Sequence, residues 1–193
     1  MRLYELAGNT PRSDTAVFTF GRLNPPTIGH AVLINSVKKV TQKHNADSFV
    51  FLSQTQKPPK DPLPWGLKTK IAERAFPDIT VWKDPAIRTP FEAFGELGED
   101  YRHIIMVVGS DRVEEFKTRM SKYVDELGLG SFDVVSAGER DPDATGAKGM
   151  SASKARQLAY EGKWNVFQKA LPDTLSIEDK KSVYKAIRNS AKA

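Results

Sequence analysis

The sequence predicts an α/β domain built on a doubly wound parallel sheet of about five strands, followed by a helical C-terminal segment. Three observations carry this expectation. Short apolar runs rich in β-branched and aromatic residues recur along the chain, each gives way to a stretch where apolar residues return every three or four positions, and Gly or Pro marks the changes. Strands that alternate with helices require parallel pairing through right-handed crossovers, with helices on both faces of the sheet.

Ala16, Val17, Phe18, Thr19 and Phe20 form the first expected strand, closed by Gly21. The next residues cannot all be helical, because Pro25 and Pro26 remove backbone donors and restrict the residue before them. From about Gly29 the period changes, with His30, Leu33, Ile34 and Val37 at helical spacing. Residues 49–52 make the second strand, and a polar loop from Ser53 to Pro64 leads into a helix carrying Leu67, Ile71 and Ala75. Residues 79–82 make the third strand. A short helix over 89–97 can begin on Pro90, since the first helical position needs no N–H. Residues 104–108 show no alternation, as expected of a strand covered on both faces. One helix should bury Val113, Phe116, Met120 and Leu127 and end at Gly128, before a fifth strand over 132–136. Beyond a loop at 138–149 rich in Gly, Asp and Pro, helices are expected over 153–160 and 165–170. Ser176 and Asp179 then open a last one in capping-box spacing, with Val183 and Ile187 inward. The expected strand order is 3-2-1-4-5. Residues 1–14 read as an N-terminal extension and 15–193 as a single domain whose C-terminal helices start near 151.

The chain has 193 residues, 39% of them hydrophobic and 27% charged, which suits one soluble core and excludes a disordered or collagen-like chain. It contains no cysteine, so disulfide scaffolds, thiolate metal centres and cysteine nucleophiles are excluded. No apolar run approaches the roughly 18 residues of a membrane span, and the first fourteen residues lack the apolar stretch of a secretory signal. Lys and Arg number 29 against 24 Asp and Glu, a formal charge of +5 that suits phosphate-bearing ligands. The same charge would suit nucleic acid, but the cations are dispersed rather than in blocks and read equally as a solvated surface, so nucleic acid is not the expected partner.

Open parallel sheets of this Rossmann-like kind bind ligands beyond the carboxyl ends of their strands, so chemistry is sought after strands one, four and five. The first segment is Gly21-Arg22-Leu23-Asn24-Pro25-Pro26-Thr27-Ile28-Gly29-His30. Gly29 permits close approach to a ligand, and His30 at a helix start can donate to an anion beside free N–H groups. An ordinary histidine behind a capped helix is the bland alternative. In the second segment, Gly109-Ser110-Asp111, the carboxylate can cap the next helix or accept from a ribose, a base or a second substrate. The third segment is Met150-Ser151-Ala152-Ser153-Lys154-Ala155-Arg156. Its two hydroxyls, its free N–H groups and the Arg156 guanidinium make a phosphate cradle, or else a Ser-capped helix with a solvated arginine. Donors and positive charge from separate loops suit phosphate chemistry better than hydrolysis by a side-chain nucleophile.

These residues resemble the nucleotidylyltransferase superfamily with the T/HxGH signature. Thr27-Ile28-Gly29-His30 looks like that signature in its threonine form, and Gly21-Arg22 with Asn24-Pro25-Pro26 is similar to the lead-in of the nicotinamide mononucleotide adenylyltransferases. Gly109-Ser110-Asp111 resembles the family's Gly-Ala/Ser-Asp segment. Met150 to Arg156 resembles its Ile-Ser-Ser/Gly-Thr-x-x-Arg motif, with Met150, Ala152 and Ser153 as conservative departures. Pro62-Leu63-Pro64-Trp65 and Arg88-Thr89-Pro90-Phe91-Glu92 look similar to short phage-encoded nucleotidyltransferases. The resemblance spans Val17 to about Gly162.

The resemblance implies transfer of a nucleoside monophosphate, AMP in preference to CMP, from a nucleoside triphosphate to a small phosphorylated acceptor. Pyrophosphate leaves, no covalent enzyme intermediate forms, and magnesium (Mg2+) bridges the triphosphate without a dedicated protein ligand. It implies His30 with Thr27 at the α-phosphate, and Ser151, Ser153 and Arg156 at the β- and γ-phosphates. Phe20, Gly21, Arg22, Asn24, Gly29, Gly109 and Asp111 complete the implied nucleotide site. Lys57 and Lys60 lie where relatives carry a basic residue for the acceptor; with Arg22 and Arg88 they read equally as acceptor contacts or solvated cations. Trp65 reads equally as core or as a stacking platform. A class I aminoacyl-tRNA synthetase shares the Lys148-Gly149-Met150-Ser151 flavour, but the chain lacks room for an anticodon-binding domain. A non-catalytic nucleotide-binding or virion-associated module that keeps the fold is the competing function. The expected location is cytoplasmic, the host cytoplasm for a phage-encoded protein, with no membrane partner and a homo-oligomer left open.

Overall fold

Strands β1 (Thr15–Gly21), β2 (Asp47–Leu52), β3 (Thr80–Val81), β4 (His103–Val108) and β5 (Ser131–Ser136) pair in the order β3-β2-β1-β4-β5. Every pairing is parallel, so the expected doubly wound order is the one found. The computed structural model describes residues 13–138 and 149–190; most of the expected N-terminal extension and of the loop at 138–149 lies outside the described residues. Helices α1 (Ile28–His44), α2 (Trp65–Ala75), α3 (Pro90–Gly98) and α4 (Val113–Met120) follow the first four strands in turn. After β5 come α5 (Ala152–Tyr160), α6 (Trp164–Ala170) and α7 (Ile177–Ser190).

Side chains alternate across a strand, and both faces of this sheet are apolar, which explains the unbroken apolar runs of β1 and β4. Val17, Val50, Ile105 and Val107 face one core, shared with Ile34, Ile71, Ala155, Phe167 and Val183 from α1, α2, α5, α6 and α7. Ala16, Phe18, Phe49, Phe51, Ile104 and Met106 face the other, with Phe94 of α3 and Phe116 of α4. Central β1 therefore has covered neighbours on every side, and its carboxyl end is held at a fixed place between β2 and β4.

Two expectations are corrected. The helix expected to run to Gly128 stops at Met120. There the Ser121 hydroxyl donates to the Lys117 carbonyl at 2.6 Å, and the chain tightens into a 3-10 turn over Ser121–Tyr123. Leu127 still packs on the same core, only partly buried as Val113 is, and Gly128 ends the segment at φ +64°. The third strand is a two-residue edge rather than four residues, although the Trp82 N–H still donates to the Val50 carbonyl at 2.9 Å. A short edge gives another chain little to pair with.

Candidate functional site

The connection from β1 to α1 is held from within. Beyond Gly21, where an added Cβ would meet only open space, Leu23 is buried at φ +38°, a left-handed conformation that costs a branched residue about 1 kcal/mol. Asn24, only 1% exposed, accepts from the Leu63 N–H through Oδ1 at 3.1 Å. Thr27 caps α1, and its backbone N–H donates to His30 Nδ1 at 3.0 Å. An accepting Nδ1 leaves the proton of the neutral ring on Nε2, so that atom is the donor His30 can offer an anion. The Thr27 hydroxyl, 2.9 Å from Nδ1, donates to the Met150 carbonyl at 2.9 Å. The start of the first helix is thereby bonded to the third segment, more than a hundred residues away.

The third segment returns the contact. Arg156 donates from Nη1 to the Asn24 carbonyl at 2.6 Å and from Nη2 to Ser153 Oγ at 3.0 Å. Ser151 caps α5, its Oγ accepting from the Lys154 N–H at 3.1 Å. Each serine oxygen is used here as an acceptor, which leaves its own proton available to donate. The two readings of this segment are thus combined: Ser151 does cap the helix, but Arg156 is half-buried and aimed at the first segment. Burial pulls its guanidinium below the ordinary arginine value; the charges of Asp61 and Tyr160 oppose that shift and Arg22 adds to it.

Two charged residues that sequence reasoning passed over lie beside this junction. Lys68 is completely buried, and its Nζ donates to the carbonyl oxygens of Ser53 and Thr55, the latter at 3.4 Å. Burial lowers its pKa to about 8, with the Asp61 charge raising it and Arg22 lowering it. Asp61 is 5% exposed and pairs with the exposed Arg22 at 3.7 Å. A signal for Lys68 was present: it stands three residues before Ile71 and seven before Ala75, on the apolar stripe of α2. The loop between β2 and α2 is consequently tethered at four points, through Lys68, through Leu63 to Asn24, through Asp61 to Arg22, and through the Tyr160 hydroxyl to the Pro59 carbonyl at 3.0 Å.

The remaining candidates are placed less tightly. Gly109 ends β4 beside β1, and an added Cβ there would come within 2.7 Å of the Asp111 carboxylate, which folds back over it. Asp111 is exposed in a 3-10 turn and does not cap α4, whose first residue follows Arg112. Phe20, half-buried, packs into the core of the α3 face. Lys57 and Lys60 are exposed on the tethered loop, whereas Arg88 is exposed beyond edge strand β3, its Nε 3.5 Å from the Pro85 carbonyl. Trp65 packs against the core. Among the described residues no group of three or more His, Asp or Glu could hold a metal, and no helix is long and apolar enough to cross a membrane.

No protein-family model matches the chain, and neither does any curated protein. Solved structures do match. The Plasmodium falciparum nicotinic acid mononucleotide adenylyltransferase complexed with APC superposes with a TM-score of 0.55 at 12% identity, over 89% of this chain and 97% of that one. The two chains share an α/β Rossmann-like fold. The same enzyme complexed with NaAD gives 0.55 at 13% identity, with the same coverage. Thermotoga maritima TmcAL bound with alpha-thio ATP gives 0.51 at 14% identity, over 91% of this chain and 56% of that one. At such identities the likeness is one of fold, and the residues bring together the start of α1 and the start of α5.

Proposed function

We propose that the chain is a nucleotidyltransferase that moves a nucleoside monophosphate, AMP in our reading, from a nucleoside triphosphate to a phosphorylated acceptor. The observation that carries this is the double link between the T/HxGH segment and the Arg156 segment, Thr27 to Met150 and Arg156 to Asn24. It supports the reading because it ties the start of α1 to the α5 segment whose donors an in-line displacement would use. Two of the structural neighbours were solved with NaAD and with alpha-thio ATP, ligands of the same adenine nucleotide class.

In this reading an acceptor oxygen attacks the α-phosphorus, the bond from that phosphorus to the bridging β-oxygen breaks, and pyrophosphate leaves with the electron pair. The protein contributes position and charge rather than a nucleophile. His30 Nε2 donates to the α-phosphate oxygens. Arg156 holds the leaving phosphates throughout, with the Ser151 and Ser153 hydroxyls beside it, and Gly21 leaves the backbone open at the end of β1. Lys57 and Lys60 offer charge to the acceptor from the tethered loop. The donor set, neutral His30 and serine hydroxyls with the Arg156 cation, offers among the described residues no carboxylate cluster to hold a metal, which suits a magnesium ion carried in on the triphosphate. Such an ion keeps mostly phosphate and water ligands and would neutralise charge on the leaving group.

The test is a thermal-shift series with ATP, CTP, GTP and UTP, with and without magnesium, followed by pyrophosphate release with a panel of phosphorylated acceptors. A magnesium-dependent shift with ATP and release with at least one acceptor are expected. A folded protein that shifts with none of the four would move the conclusion to a module that keeps the fold without the chemistry.

A further inference from the structure

Asp61 belongs to a loop, between Lys60 and Pro62, yet it is only 5% exposed. A carboxylate withdrawn from water is costly unless it is paired. Its backbone already shapes the loop, since its N–H donates to the Lys57 carbonyl at 2.8 Å and its carbonyl accepts from the Lys57 N–H at 2.9 Å. The side chain is therefore left over for another task. Among the described residues it forms an ion pair with Arg22 at 3.7 Å, and its charge also acts on buried Lys68 and on Arg156. One cation, Arg22, pairs with this carboxylate directly, and two more, Lys68 on α2 and Arg156 on α5, lie within reach of its charge, so the cluster is positive and partly compensated.

We propose that Asp61 is a positioning residue that sets the anion affinity of this cationic edge, holding Arg22, Lys68 and Arg156 together while weakening their grip on pyrophosphate so that the product can leave. The inference rests on the reading of Arg156 as a contact to the leaving phosphates. It predicts a sign that a structural role cannot produce. A residue that merely keeps the loop in shape would lose anion affinity on replacement, whereas removing a compensating charge increases it.

The measurement is titration calorimetry of magnesium pyrophosphate into the native chain, Asp61→Asn, Lys68→Met and the double variant, at neutral pH and one ionic strength. Asp61→Asn should bind pyrophosphate about tenfold more tightly than the native chain, because a charge removed within several ångströms of the anion shifts binding by that order. The double variant should exceed Lys68→Met by a similar factor. That second comparison decides the matter if Asp61→Asn alone does not fold, since it removes the buried cation together with the buried anion. Unchanged or weaker binding on loss of Asp61, with native binding intact, overturns the inference and spares the nucleotidyltransferase reading. A native chain that binds neither ATP nor pyrophosphate overturns both.

Discussion

His30 is held by the residue that begins its own helix. With Thr27 donating to Nδ1, the ring presents Nε2 in a fixed tautomer, and under the proposed reaction its contribution should grow as charge builds on the transferring phosphorus. His30→Ala should lower turnover by about 10²–10³-fold while changing ATP affinity far less. Arg156→Ala should lower both, because under the proposed reaction the phosphates it would hold are charged from the start. Pyrophosphate release and thermal shifts measured on the same preparations separate the two outcomes, and equal losses of affinity without a turnover defect would remove His30 from the chemistry. Lys68 gives a prediction independent of any substrate. Its pKa of about 8 in the fold lies below the ordinary 10.5, so between those values the unfolded chain binds more protons than the folded one. Stability must then climb as pH rises through that window and be indifferent to this group below it. In denaturant titrations at about pH 7.5 and about pH 9.5 the native chain should gain about 1–2 kcal/mol relative to Lys68→Met. Parallel behaviour of the two proteins would show that Lys68 is not held where burial places it.

At the scale of elements, α3 shows how local chemistry fixes a boundary. Thr89 Oγ1 accepts from the Glu92 N–H at 3.2 Å, and the Glu92 carboxylate accepts from the N–H groups of Arg88 and Thr89, which keeps its pKa below the usual glutamate value. Thr89→Ala should cost about 1 kcal/mol in denaturant unfolding and leave ATP binding unchanged. A loss of nucleotide affinity would mean that α3 positions the site more directly than its place on the opposite face suggests. Boundaries of this kind are legible in sequence because donor, acceptor and proline sit within four residues of one another. The same holds for β1 and β4, whose unbroken apolar runs announce burial on both faces, and for Ser176, whose Oγ accepts from the Asp179 N–H as its spacing implies. The end of α4 was not legible, because Tyr123, Val124 and Leu127 continue the apolar rhythm past the point where Ser121 takes a helix carbonyl. Asp61 and Lys68 escaped for a different reason. The burial of Asp61 is produced by contacts with segments distant in sequence, and nothing within a few residues records it; that of Lys68 was signalled only by its place on the apolar stripe of α2.

At the scale of the whole molecule, the sheet separates two cores, one built with α3 and α4 and the other with the remaining helices. Phe18, fully buried at the centre and edge-on to Phe51 with ring centroids 5.8 Å apart, should cost about 3–5 kcal/mol on truncation to alanine. The loss should appear as a lower midpoint with an unchanged denaturant slope; a changed slope would mean that the two cores unfold separately. The four tethers on the loop between β2 and α2 have a kinetic meaning. Since that segment is already fastened to the β1–α1 connection, α2 and α5 before any ligand arrives, little conformational freedom remains to be lost on association. Capture of a triphosphate should therefore be governed by encounter rather than by a gate. Stopped-flow traces should show one exponential whose rate climbs in proportion to ligand concentration, without the plateau that a slow opening step imposes.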